Sequence, residues 1–170
     1  MFINTAIDIN NINQFSFHCL NHNKILLLES KLNRIKWQTS IFNTSNYYNY
    51  WLNYKDSLTK ALKQQNFKVK VLYNQELQGI WHRHVLLYAF NQPFIYAITQ
   101  TKEPNIFGLC ALGNRSLGSL LFKPHIHKGK FQFCSTNIFR SANLSYNKLY
   151  GRKRLYKKQN SELLLYEFFL

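Results

Sequence analysis

Residues 79–100 read GIWHRHVLLYAFNQPFIYAITQ, and this stretch decides the fold. Ile80–Ala89 is rich in β-branched and aromatic residues and follows Gly79, which marks it as a long strand. Asn91, Gln92 and Pro93 are turn residues, and Phe94–Gln100 resumes the strand character. The two runs predict an antiparallel hairpin. Period two puts Trp81, Arg83, Val85 and Leu87 on one face of the first strand and His82 and His84 on the other. Three of the first four are apolar, so that face is assigned to the core.

Working outward, Phe67, Val69, Val71 and Tyr73 alternate as a further strand, and strands are predicted at 130–135, near 146–156 and at 162–170. The helical signals come earlier. Ile25, Leu28, Leu32 and Ile35 recur at helical spacing, which predicts an amphipathic helix over 24–38. Asp56 or Ser57 can cap a helix carrying Leu58, Ala61 and Leu62 on one face. Asn114 is placed as the cap of a short helix bearing Leu117, Leu120, Leu121 and Phe122. Helices early and hairpin-linked strands late predict an α+β fold with a largely antiparallel sheet. Residues 1–31 read as an Asn-rich extension with the start of a lead-in helix, and 32–170 as a single domain. The Asn- and Tyr-rich segment Asn43–Tyr54 reads either as a base-stacking surface or as compositional filler.

Composition bounds the chemistry. The chain has 170 residues, long enough to bury a core without staples. Hydrophobic residues make up 46% and aromatic residues 16%, which argues against disorder. With 22 Lys and Arg against 7 Asp and Glu, the formal charge is +15. Two sources of that charge stand: AT-rich codons, which favour Lys and Asn together with Ile, Phe and Tyr, or an anionic partner. The seven acids are Asp8, Glu29, Asp56, Glu76, Glu103, Glu162 and Glu167, too few and scattered for Ca²⁺ or paired Mg²⁺ chemistry. Cys19, Cys110 and Cys134 are odd in number and lack CxxC spacing, which predicts buried thiols in a reducing compartment. No stretch reaches ~18 apolar residues, so no membrane span is expected. The start, MFINTAIDIN, has neither a signal-peptide nor a transit-peptide pattern, so the protein is expected to stay where it is made.

Two charged residues stand among apolar neighbours. Arg83 lies on the core face of its strand, where a guanidinium needs a partner. That partner is either a structural acid or a ligand carboxylate held by the planar fork. Glu167 sits in the last strand, LLLYEFFL, and shares its side with Leu163, Leu165 and Phe169. It either neutralises Arg83 or supplies acid/base work, and the two roles are compatible. His82 with His84 and His125 with His127 form two HxH pairs, but no acid or Cys lies near them in sequence, so no metal is assigned. The basic run Tyr150–Lys158 reads as a solvated strand edge or as a phosphate-contacting strip. GxGxxG, P-loop, GxSxG and HExxH are all absent.

Four blocks in order carry a resemblance. They are Trp51-Leu52 with Asp56-Ser57-Leu58-Thr59, then Trp81-x-Arg83-x-Val85-Leu86-Leu87, then Leu112-Gly113 through Leu117-Gly118 to Leu121-Phe122. The last is Tyr150-Gly151-Arg152-Lys153-Arg154 with Leu163 to Glu167. From Trp51 to Leu170 the chain resembles the chorismate pyruvate-lyase (4-hydroxybenzoate synthase) family, and its composition is similar to that of plastid-encoded algal members. The resemblance implies an antiparallel α+β fold with an enclosed ligand pocket. It implies a cofactor-free elimination of pyruvate from chorismate to give 4-hydroxybenzoate, a precursor of prenylated quinones, in a plastid (chloroplast) stroma. It assigns Arg83 to a substrate carboxylate, Glu167 to the ring hydroxyl, and the backbone at Leu58 and Leu117 to the ligand. Arg83 and Glu167 are then the catalytic pair, and all four residues are the substrate-binding set. Chorismate becomes the expected partner in place of nucleic acid. Two departures are visible: Ser116 stands where bacterial members often carry Pro, and three residues follow Glu167. Two alternatives remain, a non-catalytic small-molecule-binding domain of the same fold and a basic nucleic-acid-binding organelle protein.

Overall fold

The computed structural model describes residues 20–41, 43–137 and 148–170. Cys19 and most of the Asn-rich extension lie outside these. Five helices, α1 (His22–Leu32), α2 (Asn46–Asn53), α3 (Leu58–Leu62), α4 (Pro104–Phe107) and α5 (Gly118–Leu121), accompany seven strands among the described residues. The strands are β1 (Lys68–Leu77), β2 (Ile80–Ala89), β3 (Gln92–Thr101), β4 (His127–Lys128), β5 (Gln132–Thr136), β6 (Leu149–Lys158) and β7 (Ser161–Phe169). They form one antiparallel sheet in the order β1-β2-β3-β7-β6-β4, with β5 also pairing with β6. This is the α+β fold expected.

The far edge of β6 is shared. β4 pairs with its Tyr156–Lys157 end and β5 with its Leu149–Lys153 end, and the Gly129 amide donates to Leu155 O between them. Gln38 pairs in turn with Phe133 on the outer side of β5. The opposite edge is β1, where Lys68 and Lys70 are exposed and the register slips between Val71 and Tyr73.

Both faces of the sheet are buried, because β2, β3 and β7 present apolar residues at successive positions rather than at alternate ones. On the front, Val85, Leu87, Leu165 and Phe169 pack with Leu52, Leu58, Leu62 and Leu121 from the short helices. On the back, Leu86, Tyr96, Ile98 and Phe168 pack with Leu28 and Leu32 of α1. The sheet is thus the middle of three layers. α1 begins at Asn21, whose side chain accepts from the Lys24 amide, and its buried stripe is Ile25, Leu28 and Leu32. The periodicity-based range of 24–38 overran the helix. Asn33 caps it, and the chain then straightens so that Gln38 can reach Phe133.

Four other expectations need correction. The β2–β3 turn is Phe90–Asn91, and Gln92 and Pro93 already belong to β3. Both turn residues have positive φ, 55° and 63°, the twist that a two-residue hairpin needs. Asn91 tolerates this, while Phe90 is held by its amide bonding to Gln65 O at 2.9 Å and by its ring against Phe94. Asn43–Tyr54 is not mere filler, though Tyr47 and Tyr50 stay exposed. It contains α2, whose Leu52 is fully buried and whose Trp51 ring meets Phe94 at 5.2 Å. Packing, not Asn and Tyr propensity, makes this segment helical. The thiols divide, Cys134 buried and Cys110 exposed. Asn114 does not cap the short helix either, since α5 follows Leu117.

The two strand histidines form a polar seam on the back face. His84 Nδ1 meets the Tyr96 hydroxyl at 2.6 Å, and His82 stacks on His84. His82 Nε2 lies 3.2 Å from Glu29 Oε1 of α1, which also accepts from Gln100 at 2.7 Å. Burial, and then the neighbouring His82, push His84 down to about 3, and burial also lowers His82. The folded chain therefore keeps both rings neutral while the unfolded chain binds protons below about 6.5. Stability should fall as pH drops from about 6.5 towards 3. Glu29, raised by burial, contributes in the opposite sense just above its ordinary range. The measurement is therefore the difference in Tm between the wild-type chain and His84→Gln from pH 7 to pH 4. The variant should show the flatter profile, and parallel profiles would exclude His84 as the source.

Candidate active site

One cavity on the front face collects the charged residues singled out in the sequence. It measures about 40 Å³ and is bounded by β2, β3, β6 and β7 behind and by α3 and α5 in front. Arg83, Glu167, Leu58 and Leu117 all line it.

Arg83 is carried into the cavity by the β2 register, with Val85 and Leu87 on the same side. It is 1% exposed. Its Nη2 donates to Gly113 O at 2.9 Å and Arg115 O at 3.0 Å, and its Nε is buried without a partner. Gly113, at φ 55°, gives the left-handed turn that aims its carbonyl inward. No acid pairs with Arg83 among the described residues, whose ion pairs are His82–Glu29, Arg152–Glu167 and Lys157–Glu162. Burial pushes the Arg83 guanidinium down to about 10, still cationic at neutral pH. The cavity therefore holds a fixed positive charge with donor capacity to spare.

Glu167 reaches the cavity from β7, opposite Ala97 of β3 and Arg152 of β6. Its ion-pair partner is Arg152 and not the Arg83 considered from the sequence. Arg152 Nε donates to Glu167 Oε2 at 2.6 Å. Arg152 is itself 2% exposed, and its Nη1 donates to the carbonyls of Trp51, Leu52 and Tyr54. Its guanidinium lies 4.4 Å from the Phe131 ring centroid. The basic run Tyr150–Lys158 is thus neither a uniform solvated edge nor a phosphate strip. Arg152 turns inward, Arg154 packs over Phe131 and donates to Gly129 O, Lys153 stacks on Trp37 across the sheet, and Lys157 pairs with Glu162 in solvent.

Leu58 and Leu117 close the front. Ser57 caps α3 by accepting from the Lys60 amide, and α3 abuts α5 at Gly118. A Cβ at Gly118 would fall on the Ser57 hydroxyl, so glycine is what lets the two helices meet over the cavity. Ser116, Asp56, Tyr156 and Arg152 also line it. Burial and then Glu167 push the Tyr156 hydroxyl up to about 12, so it remains a donor at neutral pH.

The remaining candidates lie elsewhere. His82 and His84 face the back layer, and His125 and His127 are exposed. Among the described residues no three His, Cys, Asp or Glu side chains are grouped to hold a metal ion. No helix of the described residues is long and apolar enough to cross a membrane. Chemically, the cavity offers a cationic fork at one position and a paired carboxylate at another, with apolar walls between. That arrangement suits a small ring bearing a carboxylate and a hydroxyl.

Comparison with known proteins points the same way. Residues 68–170 match the family model described as Chorismate lyase. A probable chorismate pyruvate-lyase of Shewanella amazonensis is 32% identical over 144 residues, covering 71% of this chain and 77% of that protein. The corresponding protein of Idiomarina loihiensis is 31% identical over 147 residues, covering 71% and 76%. That of Chromohalobacter salexigens is 29% identical over 143 residues, covering 71% and 78%.

Proposed function

Because this chain belongs to the chorismate lyase family, we propose that it eliminates pyruvate from chorismate to give 4-hydroxybenzoate. The observation that carries the reading is Arg83, a buried cation without an acidic partner among the described residues, facing the same cavity as Glu167. Chorismate is a dianion, and a carboxylate placed on the Arg83 Nε edge takes up its unused donor.

The reaction needs no external oxidant or reductant. The ether bond between the enolpyruvyl group and its ring carbon breaks, and the oxygen leaves with the bonding pair. The neighbouring ring carbon, which carries the hydroxyl, loses its proton. The C–H electrons become the third double bond of the aromatic ring, and the departing enolate takes up a proton at its methylene carbon to become pyruvate. In this reading Arg83 anchors a substrate carboxylate, and Glu167, its Oε2 held by Arg152, meets the ring hydroxyl with its other oxygen. The backbone at Leu58 and Leu117 borders the ring. The dry walls of Val85, Leu87 and Leu165 remove water from an already labile ether.

The product feeds prenylated quinones in this reading, and the Lys- and Asn-rich composition supports a plastid setting, although the relatives named above are bacterial. The test is purified chain with chorismate, with pyruvate and 4-hydroxybenzoate followed together. Equimolar formation above the spontaneous rate is expected. Binding without turnover would make the chain a ligand-sensing domain of the same fold, and neither binding nor turnover would sink the proposal.

A further inference from the structure

We propose that Arg152 is a positioning residue of this reaction, setting both the orientation of Glu167 and the place of the segment that carries Leu58; the inference rests on the lyase reading above. The geometry is specific. β6 and β7 put Arg152 directly across from Glu167, and one guanidinium serves two elements at once. Its Nε takes Glu167 Oε2, while its Nη1 takes the carbonyls of Trp51, Leu52 and Tyr54, where α2 ends. Trp51 O also accepts from the Tyr54 amide, and with Leu52 O and Tyr54 O it lies at the helix end, so the guanidinium acts as the C-terminal cap of α2. The chain runs from there through Asp56 and Ser57 to Leu58 on the cavity wall.

Three consequences follow from chemistry alone. With Oε2 engaged, the carboxylate cannot rotate, so its second oxygen has one direction in the cavity. Among the described residues no other hydrogen bond reaches that carboxylate. Phe131 under the guanidinium plane and the cross-strand register fix Arg152 itself, so the fork is held on its flat face as well as at its edges. Because a planar fork makes all four bonds, lysine with its single nitrogen cannot replace it. Arg152 also borders the cavity, but no substrate group is assigned to it in this scheme. Its contribution to rate passes through Glu167.

That routing makes a measurable prediction. Arg152→Met should lower kcat on chorismate by about 10²-fold while leaving KM within about threefold, because Arg83 still anchors the carboxylate. In a Glu167→Gln background the same substitution should cost no further kcat, since the group it positions is already disabled. Arg152→Lys keeps the charge and guards against a methionine variant that fails to fold. It should hold a higher Tm than Arg152→Met, because it keeps a cation beside Glu167, and still lose kcat at unchanged KM. Additive losses in the double variant, or an unchanged kcat with only a lowered Tm, would overturn the positioning role and leave the lyase reading intact. A wild-type chain without turnover would instead overturn the lyase reading, and this inference with it.

Discussion

Replacing Arg83 with methionine should raise KM for chorismate by on the order of 10²–10³-fold, the largest effect expected of any substitution on binding. A desolvated, charge-assisted fork on a carboxylate is worth about 2–5 kcal/mol when one partner is removed. The same substitution should be tolerated by the fold. Arg83 is buried with no counter-ion among the described residues, and exchanging such a charge for an apolar side chain of similar reach relieves its desolvation. Against that stand the carbonyls of Gly113 and Arg115, which lose their donor. The two roughly offset, so Tm should move by only a few degrees. Arg83→Lys separates charge from shape, because it restores the cation without the fork. KM should recover in part and remain at least about tenfold above wild type. An unchanged KM in Arg83→Met would remove this residue from the site, and early melting of both variants would make its role structural.

Glu167→Gln should lower kcat by about 10²–10³-fold with little change in KM, the range typical of a positioned acid–base group. The amide keeps the shape and can still accept from Arg152 Nε, so the hairpin stays paired. What it loses is the negative charge that faces the ring hydroxyl. Glu167→Ala is the less informative variant. It strands a buried guanidinium, which costs about 3–5 kcal/mol when a buried pair is broken from one side. A fall in kcat would then mix chemistry with stability. Single-turnover measurement of Glu167→Gln separates the chemical step from product release. If its rate matches the wild-type chain, Glu167 plays no part in the elimination.

Most of the architecture was legible because β2 and β3 declare themselves. Their turn residues and branched side chains place a hairpin at 80–100, and period two put Arg83 and the histidines on opposite faces, as the structure has them. Alternation was less useful for deciding which face is buried, because both are. The helices were harder. Leu58–Leu62 and Gly118–Leu121 are single turns held by tertiary contacts, and α2 is built from residues that favour other conformations. Arg83 and Glu167 stood out as charges among apolar neighbours.

Arg152 did not stand out, because it sits in a run of cations where three of its neighbours face solvent or pack against rings. A signal was nonetheless present. Gln159 and Asn160 are turn residues between two strand patterns, and a two-residue turn pairs positions equidistant from it. Arg152 and Glu167 stand seven residues to either side. Pairing the strands before assigning the charges would have given Glu167 its partner. Cross-sheet contacts to Trp51, Leu52 and Tyr54 carry no such local mark, since they join positions about one hundred residues apart.

The sheet's two borders also bear on how the molecule behaves at high concentration. An open strand is a template on which another chain can extend the ladder, and this is a route to fibrils. Here β5 already has Gln38 bonded along its outer side, while β1 carries Lys68 and Lys70 and breaks its register at Val71–Tyr73. A second molecule approaching these borders meets a bridge already made at Phe133 or an irregular edge bearing two lysines. Both features weigh against extension of the sheet by another chain.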